Sequence, residues 1–295
     1  FFIALGEVST RYESFESTSV LVLRYAQVLV ALILAGFVMV RLVTSRPQKI
    51  DIFKSDSELP SISVLIPARN EDRNLEELLR SLVANDYPKM EIIVLDDCST
   101  TSRIPEIVKG FAHDGVRFVQ GSEPRENWLA KNQAYETLVE NASGDYLIFM
   151  GVDVRLGSSA LRSLMNYAYS TSSKMVSVMP SRFDPAFWKG FFTPLRNMRE
   201  LLRIGAKFRS VPTLSTLWMI EKDELMALGG IRAVARKVIP EQYFARQLAL
   251  SKKYSFVRTS SSLQISTAKV LSEQLATTIR VTYPSQHRRL EKNVV

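Results

Sequence analysis

Cysteine and histidine are almost missing from this 295-residue chain: Cys98 is the lone thiol, and His113 and His287 are the only imidazoles. One cysteine excludes a disulfide framework, and so few soft ligands exclude a histidine–cysteine zinc centre. Any metal must therefore sit on carboxylates. Internal repeats are absent, and no Gly-x-Gly-x-x-Gly follows a candidate strand, which argues against a dinucleotide-dependent oxidoreductase. Nucleic-acid-binding motifs are missing as well, so nucleic acid is not an expected partner. Acids are outnumbered, 30 Asp and Glu against 38 Lys and Arg, and the net charge is +8. That excess is local: residues 182–209 carry +5 and residues 280–292 carry +3, which together make the whole. Localised positive charge suits an anionic membrane surface or a phosphate-bearing substrate. With 46% hydrophobic residues, the chain is long enough for one large domain or two small ones with a real core.

Formal charge is also absent from Tyr25 to Val40, within an apolar run from Val20 to Val43 that has Arg24 and Arg41 near its ends. This predicts a transmembrane helix over 20–44; a buried core helix or an interfacial one is the alternative reading of the same run. Glu7, Glu13 and Glu16 precede it while Arg41, Arg46 and Lys49 follow. The basic side faces the cytoplasm, so 1–19 is expected outside and the rest inside, giving a single-pass cell-membrane protein with a cytoplasmic domain. No small-residue cleavage site follows the run, which disfavours a secretory signal peptide. The polar stretch 45–60, with Pro47 and Pro60, reads as a linker. The chain opens on Phe1, and 271–295 is expected to be a membrane-proximal segment of a protein that continues.

Beyond the linker, short apolar runs alternate with amphipathic stretches. Ser61–Ile66 predicts a strand, and Leu75, Leu78, Leu79, Leu82 and Val83 recur at the spacing of one helical face. Strands over 91–95, 116–119, 145–150 and 175–179, with helices over 104–112, 130–140 and 158–170, continue the pattern. Such alternation predicts a mainly parallel sheet with helices on both faces. Ligands of such sheets bind beyond the carboxyl ends of the strands. There the sequence places Ala68, Asn70 and Glu71 after the first strand, Asp96 and Asp97 after the second, and Asp153 after the fourth. Taken singly, Asn70 or the aspartates read equally well as helix caps, and Ser99 and Thr100 as turn formers. Three polar clusters in order at one edge favour a site.

The segments SVLIPARNEDRNLEELLRSLVANDYPKMEIIVLDDCSTTS, NWLAKNQA, GDYLIFMGVDVRL and LGGIRAVARKVIPEQYFARQL extend in order from Ser61 to Leu248. In them the sequence resembles the family 2 glycosyltransferases of the GT-A (Rossmann-like) fold. The segment IRVTYPSQHRRLEKN is similar to members that glycosylate polyprenoid, hopanoid-like or carotenoid lipids. Gln286–Leu290 lacks the tryptophan of the Gln-x-x-Arg-Trp signature of processive members, and the match is read as chance. The resemblance implies a GT-A domain over 61–270. It also implies a nucleotide-sugar donor held by Ala68, Asn70, Glu71, Asp96 and Asp97, with Lys131 near the donor phosphates. Lys131 read alone is an ordinary surface lysine. A divalent metal, Mg²⁺ or Mn²⁺, is implied too, with Asp153 in the position of the second carboxylate of an Asp-x-Asp motif whose first position is Gly151.

Alignment on Ala245-Arg246 puts Glu241 where the family carries its catalytic base, with Pro240 in place of an acidic neighbour. A proline–glutamate helix start is the other reading of that pair. Gly229-Gly230 fits a family turn. The stretch 183–211 mixes Phe187, Trp188, Phe191 and Phe192 with Lys189, Arg196, Arg199, Arg203, Lys207 and Arg209. That composition suits an interfacial helix that presents a lipid or other apolar acceptor, or equally a helix packed on the sheet. The expected activity is membrane-anchored, inverting transfer from a nucleotide sugar, a UDP-sugar, to that acceptor. The rival is a degenerate, non-catalytic homologue that binds nucleotide, favoured by Gly151 and Pro240.

Overall fold

The computed structural model describes residues 2–44, 55–100, 103–182 and 211–268, with side chains described from Thr18 to Val40 in the first of these stretches. The chain divides into two compact units, Phe1–Thr44 and Ser45–Val295.

In the first unit, helix α1 (Phe2–Thr44) is unbroken. No proline falls between Phe2 and Thr44 to remove a backbone donor, so the stretch 1–19, expected as a separate segment, continues the same helix from Phe2. Thr18–Val40 has a mean hydropathy of 2.2 and is the one span among the described residues long and apolar enough to cross a membrane.

The second unit is built on a seven-stranded sheet. Its strands are β1 (Ile62–Ala68), β2 (Met90–Asp96), β3 (Val116–Gln120), β4 (Tyr146–Met150), β6 (Met175–Met179), β8 (Leu217–Glu221) and β9 (Tyr254–Arg258). They lie in the order β3-β2-β1-β4-β8-β6-β9. Each neighbouring pair is parallel except β4/β8 and β8/β6. The strands expected from the sequence all form. Strands β8 and β9, which the alternation does not reach, extend the sheet and make it mixed. β8 runs against its neighbours, with Leu217 opposite Met150 and Glu221 opposite Tyr146.

Both faces are covered, as the continuous apolar strands require. Val64, Ile66, Ile92, Val94, Ile148 and Met150 pack under helices α2 (Asp72–Val83), α3 (Arg103–Gly110) and α5 (Ala160–Ser170). The alternate residues Leu65, Ile93, Leu147, Phe149, Trp218 and Ile220 pack under α4 (Ala130–Glu140) and α7 (Pro240–Leu250), with the short α6 (Lys222–Ala227) adding Leu225. Leu59 is already buried, so packing starts two residues before the predicted domain edge.

A second, three-stranded sheet stands beside the first. β10 (Ile265–Thr267) pairs antiparallel with β5 (Val154–Leu156) and parallel with β7 (Ser181–Arg182). The interfacial stretch expected over 183–211 lies outside the described residues except for Val211, which is buried on the α4/α7 face. The segment 271–295 lies outside them entirely.

Candidate active site

The strand order puts β1 between β2 and β4, so the carboxyl ends of these three strands, Ala68, Asp96 and Met150, lie side by side. The first two loops are tied together. Asn70 adopts the left-handed backbone conformation (φ 55°), which asparagine tolerates better than most residues. Its N–H donates to Ser99 Oγ (3.0 Å), and its Oδ1 accepts from the Thr100 N–H (2.9 Å) and Thr100 Oγ1 (3.2 Å). Asn70 thus bridges two loops and does not cap α2, whose N-cap residue is Glu71.

Asp96 is buried, and its Oδ1 accepts from the Ser99 N–H (3.0 Å). The Asp96 carbonyl accepts from Gly121, where any Cβ would collide with that same carbonyl oxygen. The Asp97 N–H donates to the Ala68 carbonyl (2.9 Å). Burial pushes the Asp97 carboxyl above the usual range; the Arg69 guanidinium opposes this, while Asp96 and Glu123 add repulsion. The two aspartates therefore form a polar, partly desolvated pair at the centre of the edge.

The third loop follows β4. Gly151 donates to the Thr216 carbonyl (3.0 Å), and a Cβ on Gly151 would come within 2.7 Å of Asp153 Oδ1. The Asp153 carboxylate thus leans over the place the missing carboxylate's stem would take. Its Oδ2 accepts from Thr267 Oγ1 (2.6 Å), and its main-chain carbonyl accepts from Ala268 N–H (2.8 Å). Arg155 pins the loop by donating to the Val152 (3.0 Å) and Val154 (2.8 Å) carbonyls while pairing with Glu77 on α2. Among the described residues no three His, Cys, Asp or Glu side chains gather into a group able to hold a metal. One hard carboxylate is still compatible with Mg²⁺ or Mn²⁺ when substrate phosphates supply further oxygens.

The helices α4 and α7 pack on the same face of the sheet, and their first turns carry Lys131 and Glu241. Lys131 Nζ lies 5.2 Å from the centroid of the Tyr135 ring, one turn further along α4. Burial works against the Lys131 charge, but Tyr135 and the carboxylate of Glu241 outweigh it and leave the ammonium above its ordinary pKa. Burial raises the Tyr135 phenol in turn. Beneath them Phe149 and Trp218 stack at 4.0 Å, and Tyr135 meets Phe149 edge-on at 4.7 Å. Pro240 is the first residue of α7, as the sequence pattern suggests, but Glu241 is only 2% exposed, unlike a solvated helix start. Its Oε2 is buried and has no hydrogen-bond partner among the described residues. Leaving a carboxylate oxygen in that state is costly, so the position is one that a substrate group would relieve.

Two residues that motif reading passed over organise this region. Asn132, 1% exposed, directs Nδ2 at the carbonyls of Val234 (2.8 Å), Ala235 (3.0 Å) and Lys237 (2.9 Å). Gln133 donates to the Ser122 (3.1 Å) and Glu123 (2.9 Å) carbonyls and accepts from the Arg125 N–H (2.6 Å). Both lie in the quoted run NWLAKNQA; the available signal was two adjacent amides at a helix start, which ordinary capping would also explain. Gly229 (φ 92°) and Gly230 (φ 63°) make the turn before Ile231, a conformation that requires glycine.

Residues 63–221 match the family model described as Glycosyl transferase family 2. The 4,4'-diaponeurosporenoate glycosyltransferase of Staphylococcus aureus (strain bovine RF122 / ET3-1) is 24% identical over 188 residues, covering 61% of this chain and 48% of the relative. The chain thus spans about half the length of the curated relatives it matches. Among solved structures, the mannosyltransferase PcManGT from Pyrobaculum calidifontis, in complex with GDP-Man and Mn²⁺, superposes with a TM-score of 0.61 at 18% identity. That likeness covers 89% of this chain and 75% of the other. Glucosyl-3-phosphoglycerate synthase from Mycobacterium tuberculosis, with Mn²⁺, UDP and glucosyl-3-phosphoglycerate, gives a TM-score of 0.52 at 17% identity over 82% and 84% of the two chains. At such identities the likeness shows the fold alone, and that fold is GT-A.

Proposed function

Because the chain belongs to glycosyl transferase family 2, we propose that it is a membrane-anchored, inverting glycosyltransferase that moves a sugar from a UDP-sugar to a lipid or other apolar acceptor. The observation that carries this reading is the buried Glu241 carboxylate, with Oε2 unpartnered among the described residues, within electrostatic reach of Lys131 on the face where the GT-A sheet ends. A relative named for 4,4'-diaponeurosporenoate and the apolar span of α1 support an apolar acceptor.

In this mechanism Ala68, Asn70, Glu71, Asp96 and Asp97 receive the base and ribose of the donor. Carboxylates suit ribose hydroxyls, which are donors without charge. Lys131 offers positive charge to the diphosphate. Glu241 takes the proton from the acceptor hydroxyl as its oxygen bonds to the anomeric carbon. The bond from that carbon to the diphosphate breaks in the same displacement, and the configuration inverts because no enzyme nucleophile intervenes. Asp153 would hold a divalent ion together with donor phosphates; such an ion, when bound, neutralises the charge of the departing diphosphate. A non-catalytic, nucleotide-binding relative is the second reading, favoured by Gly151 and by the engagement of Asp153 Oδ2 with Thr267.

Transfer by the full chain in lipid vesicles, supplied with a panel of nucleotide sugars, tests the reading, and calorimetry with UDP tests its pocket. UDP binding should weaken as the pH falls through the raised Asp97 pKa, at a higher pH than an ordinary aspartate would impose, because the anion is the acceptor form. Arg69→Met removes the opposing cation and should move that weakening to still higher pH, whereas Asp97→Asn should flatten it. Equal UDP affinity for wild type and Asp97→Ala would remove Asp97 from the pocket.

The anchor is proposed to place the domain after Val43 in the cytoplasm. Protease should then reach the domain in inverted vesicles and not in right-side-out ones. The opposite pattern would reverse the topology.

A further inference from the structure

The first turn of α4 supplies more than the Lys131 charge. Three carbonyls surround Asn132 Nδ2, and its Oδ1 is buried with no partner among the described residues. The opposite amide orientation would set an oxygen against three oxygens, so the network fixes which end is the donor. The turn so held, 234–237, is fastened again by the Leu129 N–H to the Ala235 carbonyl (3.0 Å). It leads through Ile239 and Pro240 to Glu241. Pro240 has no N–H and Ile239 no capping side chain, so α7 starts without a side-chain cap of its own. The neighbouring Gln133 reaches the other way, to the 122–125 loop that follows Gly121 and its contact with Asp96. One helical turn therefore fastens both the donor-side loop and the backbone that carries the base.

We propose that Asn132 is a positioning residue for sugar transfer: by holding the 234–237 turn it sets where the Glu241 carboxylate stands relative to the acceptor hydroxyl. The inference rests on Glu241 as the base. A carboxylate misplaced by about 1 Å loses on the order of 10²-fold in rate, whereas the bonds of Asn132 go to the carbonyls of Val234, Ala235 and Lys237 and to none of the residues proposed to hold the base and ribose, so donor binding should change little.

The test is a double-mutant cycle on the full chain in lipid vesicles, with transfer rate and UDP affinity measured for Asn132→Ala, Glu241→Gln and the pair. Asn132→Ala should lower kcat by about 10- to 10²-fold and leave UDP affinity within about twofold. Added to Glu241→Gln it should cost nothing further, because the group it positions is already inert. Thermal unfolding monitors folding of each variant. Asn132→Ser, which keeps one donor for the turn, takes the place of alanine should that variant fail to fold, with the same pattern expected at a smaller loss. Multiplicative losses in the double variant, or a parallel fall in UDP affinity, would overturn the role of Asn132 and leave the base assignment standing. Wild-type transfer by Glu241→Gln would overturn the base assignment, and this inference with it.

Discussion

Glu241→Gln should lower sugar transfer by roughly 10²-fold or more while UDP affinity stays within about twofold of wild type. Glutamine keeps the size and one hydrogen-bonding oxygen of the side chain but cannot accept a proton at neutral pH. The buried site is already shaped around that volume, so the exchange should not open a cavity. The exchange also takes from Lys131 the carboxylate that helps to hold its ammonium above its ordinary pKa, so the variant should melt modestly below wild type while remaining folded. Loss of transfer on that scale in a folded variant that still binds UDP is a pattern that a merely structural glutamate would not give. Wild type that binds UDP but transfers to no acceptor, with Glu241→Gln indistinguishable from it, would favour the non-catalytic reading.

Asp153→Asn should weaken Mn²⁺-dependent UDP binding by about tenfold or more, since the proposed ion loses its one charged protein ligand and the diphosphate its bridge. Titrating Mn²⁺ against UDP binding measures it. The converse variant, Gly151→Asp, restores the second carboxylate at a structural cost that the geometry defines. Its Cβ would stand 2.7 Å from Asp153 Oδ1, so the Asp153 side chain must swing aside, against its bond from Thr267. Two adjacent carboxylates without an ion repel each other. Gly151→Asp should therefore melt at a lower temperature than wild type in the presence of chelator and recover most of the difference when Mn²⁺ is added. Melting that is indifferent to Mn²⁺ would count against a metal at this edge.

The longer strands and helices from Ser61 to Met179 were legible because each is long enough to show its period, and the predicted strand ends fall within a residue or two of those observed. Apart from β8, whose first four residues are buried, what periodicity misses is short or half-covered. β9 buries only Val257 fully, and β5, β7 and β10 have two or three residues each, too few to alternate. The aspartates were legible as candidates because a parallel sheet gives its strand ends one common edge. The bridging of two loops by Asn70 was not, since a lone Asn before a helix reads first as a cap. Asn132 was illegible for a different reason. Its partners are 102 to 105 residues away, and no local pattern records a contact of that range.

The bond from Thr267 to Asp153 also bears on the order in which this protein can be finished during synthesis. The two residues are 114 apart in the chain. The loops of Ala68 and Asp96 need only each other and Gly121, so a nascent chain that has emerged as far as α4 already holds every residue that ties them. Asp153 has no such early partner: the strand that orients it, β10, is among the last described parts to leave the ribosome. The nucleotide side of the pocket can thus take shape on the nascent chain well before the carboxylate proposed for the ion is set.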